Sequence, residues 1–206
     1  MIEQLVLGTR NPDKIAEIWD LLAGTGIVIR SLTDFPDAPE VEEDGNSFEE
    51  NAVKKARAIA QATGLPALAD DSGLEVDALD GAPGVHSARF AGNHASYAEK
   101  NRTLLERLKD VPDEQRAARF RCVLALAYPD GTVRTFEGTC EGQIVHCPRG
   151  QEGFGYDPLF LVPSLGKTFG EISRKEKSAI SHRGRALRRL KTHIRAAREA
   201  HAHHVR

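Results

Sequence analysis

The sequence is poor in cysteine and in long apolar runs, and these shortages limit what the protein can be. Its three cysteines form no C-x-x-C pair, and an odd number without a secretion signal predicts reduced thiols. The longest purely apolar run, Cys122–Tyr128, is far too short to cross a bilayer. Residues 1–7 lack the basic and apolar regions of a signal peptide. We therefore expect a cytoplasmic protein with no membrane partner.

Excess charge is also missing, since the formal net charge is −2. No bulk attraction toward nucleic acid follows from that value. The distribution is uneven, with 13 acidic and 4 basic side chains in residues 30–80 but 3 acidic and 12 basic in residues 167–206. We interpret the basic excess as a solvated helix face. Nucleic-acid binding by that helix is a rival hypothesis, disfavoured because no aromatic residues are interleaved with the basic ones.

Length and pattern predict one domain over residues 1–206 with a mixed α/β fold. Residues 199–206 are expected to form a frayed C-terminal tail. Helices are predicted to begin near Asn11, Ser47 and Ser96 and to end before Gly64 and Pro112, and a last helix buries 186–194. Ile15, Ile18, Trp19 and Leu22 recur at helical spacing. Strands are predicted over 5–7, 28–29, 67–69, 119–128, 132–140, 143–147 and 159–162.

The segment after Ala69 is the first candidate for chemistry. The apolar run 67–69 is followed at once by Asp70, Asp71, Ser72 and Gly73, so we expect the strand to end there. Paired carboxylates suit a hard cation such as Mg²⁺, or a general base that activates water. Because Asp, Ser and Gly are also common turn residues, these four residues alone favour a solvated acidic turn.

The loop over residues 8–14 is the second candidate. It links a predicted strand to a helix, with Asn11 as N-cap and Pro12 as the first helical residue. Backbone N–H groups and the helix dipole at such a junction bind phosphate, and Lys14 would add a positive charge. An ordinary strand-to-helix loop with a solvated lysine is the alternative.

The segment 153–158, GFGYDP, is the third candidate. Two aromatic residues between glycines can form a platform on which a flat base stacks, and a packed aromatic turn is the alternative. Gly166-Lys167-Thr168 is similar to the end of a P-loop. That motif requires glycine at 161, where this chain has leucine, so a P-loop is excluded.

Taken together and in order, four segments resemble the inosine triphosphate pyrophosphatase family. They are T-x-N-x-x-K at 9–14, DDSGLEVDAL with GAPGVHSAR at 70–89, FGYDP at 154–158 and K-x-x-x-S-H-R at 177–183. The resemblance implies an elongated, two-lobed mixed α/β fold with the active site in a central cleft. It implies a homodimer that uses Mg²⁺ to hydrolyse dITP, ITP and XTP to the monophosphate and pyrophosphate.

The resemblance also implies residue roles. Thr9, Asn11 and Lys14 would hold the phosphates, with Arg10, Pro12 and Asp13 acting mainly through backbone shape. Glu42 and Asp71 would bind metal, and Asp71 would accept the proton, although Asp70 remains an alternative base on the residues alone. Ser72 would touch the substrate. Phe154 would stack on the base, Gly155, Tyr156 and Asp157 would line the sugar–base region, and Lys177, His182 and Arg183 would read the purine.

Two further alternatives stay open at this point. A nucleotide sensor without hydrolysis would require a lost carboxylate, and Glu42, Asp70 and Asp71 are all present. The second alternative is a related pyrophosphatase that acts on pyrimidine or methylated nucleotides, and a comparison of substrates would distinguish it.

Overall fold

The computed structural model describes residues 2–204, with side chains as far as residue 200. Its strands are β1 Gln4–Leu7, β2 Val28–Ser31, β3 Ala67–Val76, β4 Ala117–Ala127, β5 Val133–Ile144, β6 Phe160–Val162 and β7 Lys167–Thr168. Its α-helices are α1 Pro12–Leu22, α2 Phe48–Thr63, α3 Tyr97–Arg107, α4 Arg174–Ile180 and α5 His182–His204. The predicted mixed α/β class is confirmed.

The strands form one sheet in the order β2-β1-β3-β4-β5-β6-β7. β1 is parallel to β2 and to β3, with Leu7 opposite Leu68, whereas β6 is antiparallel to β5 and β7. The amide of Gly8 donates to the Leu68 carbonyl at 2.8 Å. This register places the loop that follows β1 beside Asp70.

The prediction that β3 ends at the two aspartates is wrong. The strand continues to Val76, because Leu74 and Val76 are both completely buried and the Leu74 amide donates to Ser87 Oγ at 2.9 Å. Burial overrides the turn preference of Asp, Ser and Gly here. Likewise, the predicted separate strand at 143–147 is not separate, since β5 runs without a break to Ile144.

The helix starts follow the predicted capping residues. Asn11 caps α1, and Ser96 forms a complete capping box at the start of α3. Ser47 caps α2 only in part, since it accepts from the Glu50 amide at 3.1 Å while the Glu50 carboxylate accepts from the Asn46 amide at 2.8 Å.

Helix faces and ends agree only in part with the patterns in the sequence. Trp19, one of the four apolar residues at helical spacing, is 50% exposed, because the buried stripe of α1 runs through Ile18 and Leu22 and leaves Trp19 beside it. α3 ends at Arg107, which agrees with the predicted end before Pro112. The tail predicted over 199–206 is described as helix up to His204, and the rest of that prediction lies outside the described residues.

The chain divides into two compact units. Unit 1 contains the residues up to 71, 122–138 and those from 183 onward, and unit 2 contains 72–121 and 139–182. Each unit has its own hydrophobic core. Leu7, Leu68, Leu124 and Leu187 belong to the core of unit 1. The core of unit 2 is built around three packed rings, Phe120, Phe160 and Phe169, with centroids 4.6 to 5.9 Å apart.

Candidate functional site

Asp70, in unit 1, is surrounded by donors. Arg183, at the start of α5, donates through Nε to Asp70 Oδ2 at 2.8 Å and through Nη2 to Oδ1 at 3.4 Å. The Cys122 thiol also donates to Oδ2, at 3.1 Å, and Lys14 forms an ion pair with Oδ1. Arg183 is held on its other side by Glu17 of α1. Both oxygens of Asp70 therefore have cationic partners inside the protein.

These contacts determine the charge state of Asp70. Burial alone would raise the pKa of its carboxyl, but the Arg183 and Lys14 charges hold that pKa well below its usual range. Burial and the nearby Asp70 charge raise the pKa of the Cys122 thiol well above its usual value. Asp70 is therefore a fixed anion, and Cys122 is a protonated thiol that donates to it.

Asp71 has a different environment, although it is the next residue. Its Oδ1 accepts from the Lys55 ammonium at 3.3 Å, and its Oδ2 is buried without a hydrogen-bond partner. Burial raises the pKa of Asp71, the Lys55 and Lys14 charges oppose the rise, and Glu43 and Asp70 add to it. Asp71 is thus the aspartate of the pair with a spare oxygen and a greater tendency to accept a proton.

Lys55 comes from α2 and is a residue that the sequence analysis did not select. Its ammonium donates to Glu43 Oε1 at 2.5 Å and to the Asp70 carbonyl at 2.7 Å, besides Asp71. Burial would lower the pKa of Lys55, but Asp71 and Glu43 together raise it. Lys55 is therefore a buried cation. The spacing of Ala52, Lys55, Ala56 and Ile59 puts it on the buried face of α2, which is a signal available in the sequence.

The acidic segment before α2 supplies one further carboxylate. Glu43 reaches Lys55 and is half-buried, whereas Glu42, the predicted metal ligand, is exposed. Within the described part of the chain, no three His, Cys, Asp or Glu side chains are grouped as a metal site. The structure thus links Glu43, one residue beyond the predicted position, to Asp71 through Lys55.

The loop of residues 8–14 is ordered by its own side chains. Asn11 Oδ1 accepts from the amides of Asp13 and Lys14, at 2.9 and 3.2 Å, and Thr9 Oγ1 accepts from the Asn11 amide at 3.2 Å. The cap therefore occupies two of the N–H groups that the sequence analysis expected to be available for phosphate. What remains at this helix start is the dipole and the Lys14 charge. Arg10 and Pro12 are exposed.

In unit 2, Asp157 organises the predicted base-binding segment. Its Oδ2 accepts from the Lys177 ammonium at 2.6 Å and from the Phe154 amide at 2.8 Å. The Lys177 ammonium also lies 4.6 Å from the centre of the Phe154 ring. Gly153 has a φ of 72°, and a Cβ there would lie 2.0 Å from Asp157 Oδ2, so glycine is required. The backbone turn, the ring and the lysine are held as one assembly.

Other predicted residues of unit 2 have mixed surroundings. Tyr156 is buried in the core, with its hydroxyl donating to the Ser87 carbonyl at 3.0 Å, which fits the packed-turn interpretation. His182 is buried and stacks on Phe120, with centroids 4.7 Å apart. The Gly155 carbonyl accepts from Asn101 at 3.1 Å. Ser72 is partly exposed.

The Phe154 ring also lines a groove on unit 2. The groove has a volume of about 640 Å³, and Tyr97, whose ring centroid is 6.2 Å from that of Phe154, contributes to it. That volume is within the range of small-molecule sites.

The basic face of α5 makes contacts within unit 1. Arg189 donates to the Glu137 carbonyl at 2.7 Å, and Arg198 donates to the carbonyl oxygens of Ile2 and Thr25. These contacts give part of the basic excess a structural role and weaken the nucleic-acid hypothesis. None of the described helices is long and apolar enough to span a membrane.

These features define a mixed α/β protein in which each of the two units buries a cluster of charged side chains. The cluster of unit 1 lies on β3, beside the loop that precedes α1. The chain belongs to the Ham1 family, whose model matches residues 5–193. The family-level resemblance drawn from the four motifs is therefore confirmed.

Individual relatives agree with this assignment. The chain is 56% identical over 191 residues to a dITP/XTP pyrophosphatase of Geobacter sulfurreducens, covering 93% of this chain and 96% of the relative. It is 54% identical to a dITP/XTP pyrophosphatase of Thermus thermophilus, covering 91% of this chain and 89% of the relative. A HAM1 protein from Coxiella burnetii has a similar solved structure, with a TM-score of 0.87, 46% identity and coverage of 95% and 100% of the two chains.

Proposed function

We propose that this chain hydrolyses the nonstandard purine nucleotides dITP/ITP and dXTP/XTP to the monophosphate and pyrophosphate. Relatives named dITP/XTP pyrophosphatase, more than half identical over more than nine-tenths of the chain, support this substrate class. The observation that carries the chemistry is the contrast at β3. Asp70 has cationic partners on both oxygens, while Asp71 keeps a buried oxygen without a partner.

Asp71 acts as the general base in this proposal. It takes a proton from the water that attacks the α-phosphorus, and pyrophosphate leaves. A carboxylate with a raised pKa accepts a proton more readily than an ordinary one, which favours Asp71 over Asp70. Asp70 holds Lys14 and Arg183 in place.

The residues around Asp71 fit a bound Mg²⁺. The unpartnered Asp71 Oδ2 is a hard oxygen donor in need of a partner, and Glu42 and Glu43 offer further carboxylates in the preceding acidic segment. When bound, the ion would neutralise charge that develops on the phosphoryl oxygens. Glu42 is the metal ligand that the motif predicts. Glu43 is the ligand that we favour, because Lys55 links it to Asp71.

The phosphates are bound at the loop of residues 9–14 in this proposal. Asn11 and Thr9 fix the backbone of the loop, and Lys14 supplies the charge. Since Lys14 is paired with Asp70, a phosphate oxygen would either share or replace that partner. Arg10, Pro12 and Asp13 contribute backbone shape.

In this proposal the purine is recognised by the residues that the motifs assign to it. Phe154 stacks on the base, while Ser72, Gly155, Tyr156 and Asp157 shape the surroundings of the sugar and base. Donors from Lys177, His182 and Arg183 meet the 6-oxo group of hypoxanthine or xanthine. Adenine has an amino group at that position, and a donor facing a donor is strongly rejected. Support comes from the fixed position of Lys177 beside the Phe154 ring.

We further propose a homodimer located in the cytoplasm. The family resemblance supports the dimer. The cysteines, all of them free thiols, support a reducing compartment.

A substrate panel tests the proposed function. The purified protein with Mg²⁺ is expected to release pyrophosphate from ITP, dITP and XTP at least about 100-fold faster than from ATP or GTP. ATP is disfavoured because a mismatched buried polar group costs several kcal/mol. Guanine shares the 6-oxo group and would have to be rejected at its 2-amino group. UTP and methylated nucleotides are included to test the related pyrophosphatases, and Asp71→Asn is the control for contaminating activity. Equal rates on all substrates, or release of phosphate in place of pyrophosphate, would contradict the proposal.

A further inference from the structure

Lys55 is a buried cation of unit 1 that contacts three oxygens of the protein. One ammonium group donates to Glu43 Oε1 at 2.5 Å, to the Asp70 carbonyl at 2.7 Å and to Asp71 Oδ1 at 3.3 Å. An ammonium has three hydrogen-bond donors, and here all three are directed at oxygens of the protein. Its side chain is only 10% exposed.

The neighbouring lysine shows that this burial is specific. Lys54 pairs with Asp44 at 2.6 Å, but its side chain is 45% exposed and that of Asp44 is 58% exposed. An exposed pair of this kind contributes little to stability. Lys55 instead occupies a position in the apolar stripe of α2, where a lysine is costly to bury unless its charge is used.

The charge of Lys55 offsets the two carboxylates that it bridges. Glu43 and Asp71 lie on either side of one ammonium, so their mutual repulsion is reduced in the protein without metal. The same ammonium must also repel any divalent cation that approaches Asp71. A unit charge at ~4 Å has a large effect in a partly buried site, where the effective dielectric constant is well below that of water.

We propose that Lys55 is a built-in counter-cation that keeps the Mg²⁺ affinity of the nucleotide-free protein low. The ion is then bound well only when a triphosphate brings additional negative charge to the site. This inference rests on the proposed function for the identity of the metal and the substrate. It adds that Lys55 sets the order in which metal and nucleotide are bound and stabilises the acidic cluster in the absence of metal.

Titration of the nucleotide-free protein with MgCl₂, followed by isothermal calorimetry, tests the proposal without any turnover. Lys55→Gln removes the charge but keeps two N–H donors for the Asp70 carbonyl and a carboxylate. It is expected to bind Mg²⁺ about tenfold or more tightly than the unchanged protein. Lys54→Gln is the matched control on the same helix and should leave the Mg²⁺ affinity unchanged. Lys55→Arg keeps the charge and should retain weak binding.

Thermal unfolding with EDTA and with Mg²⁺ supplies the second readout. Lys55→Gln should be less stable than the unchanged protein in EDTA and should gain more in Tm from Mg²⁺. If the variant is unfolded in EDTA, folding on addition of Mg²⁺ would support the proposal, and failure to fold with Mg²⁺ would overturn it. Equal Mg²⁺ affinity in Lys55→Gln and the unchanged protein would also overturn it, as would tight binding by Lys55→Arg. None of these results would change the outcome expected for the unchanged protein in the substrate panel.

Discussion

The two units each bury charged side chains, but they use them differently. In unit 2, Asp157 and Lys177 form a buried ion pair, and Asp157 also fixes the Phe154 amide. In unit 1, two adjacent aspartates share several cations, and the arrangement leaves Asp71 Oδ2 without a partner. The first arrangement fixes the conformation of the Phe154 segment, and the second leaves a carboxylate oxygen available for the role of general base that we propose for Asp71.

This difference indicates which changes should affect binding and which should affect turnover. Removing one member of a buried ion pair leaves an unpaired charge and costs about 3–5 kcal/mol. That cost is expected for Asp157 or Asp70, whose cationic partners would be left behind. Replacing Asp71 is expected to cost less stability, because one of its carboxylate oxygens has no hydrogen-bond partner in the protein.

The largest expected effect separates the two aspartates. Asp71→Asn should reduce kcat on dITP by about 10³-fold or more while nucleotide binding persists, because the proposed general base and metal ligand would be lost. Asp70→Asn should instead lower Tm by roughly 10 °C, since Arg183 and Lys14 lose a charged partner. Steady-state kinetics measures kcat, and calorimetric unfolding measures Tm. Near-normal turnover in Asp71→Asn, with full loss and unchanged Tm in Asp70→Asn, would reverse the assignment.

A smaller effect is expected from the ion pair of unit 2. Lys177→Met should raise KM for dITP by about 10- to 100-fold with a much smaller change in kcat, because the donor and the support of the Phe154 segment are removed. Lys175→Met, an exposed change on the same helix, is the control. A fall in kcat at constant KM would assign Lys177 to the chemical step.

The smallest expected effect concerns the acidic segment. Glu43→Gln should raise the Mg²⁺ concentration needed for half-maximal rate by about tenfold, because it removes a carboxylate linked to Asp71. Glu42→Gln, an exposed change one residue away, should alter it less than twofold if Glu43 is the ligand. A larger effect of Glu42→Gln than of Glu43→Gln would instead indicate that Glu42, the residue matched by the motif, is the ligand.

Local signals in the sequence predicted much of the fold. The caps at Asn11 and Ser96 mark helix starts because their side chains satisfy the first free N–H groups, which depends only on nearby residues. The extent of β3 was not predictable in this way. Its passage through Asp70–Gly73 depends on burial of Leu74 and Val76 in unit 2, which is a tertiary effect.

Motifs in the sequence select the residues that we propose for the site, but not the side chains that pack around them. Motif residues such as Asp71 and Lys177 stand out by spacing. Lys55 and Glu17 do not, and each has its partner far along the chain, Asp71 for Lys55 and Arg183 for Glu17. Each is a charged residue on the buried side of a helix, and that mismatch with helical periodicity is a readable signal. The partner of each could not be deduced, because it is set by packing in three dimensions.

Hydrolysis of dITP in ¹⁸O-labelled water tests the central claim most directly. If a water activated by Asp71 attacks the α-phosphorus, mass spectrometry will find one ¹⁸O in the monophosphate and none in the pyrophosphate. Asp71→Asn should form the same labelled product at a greatly reduced rate. Label in pyrophosphate or in inorganic phosphate would place the attack on another phosphorus and contradict the account.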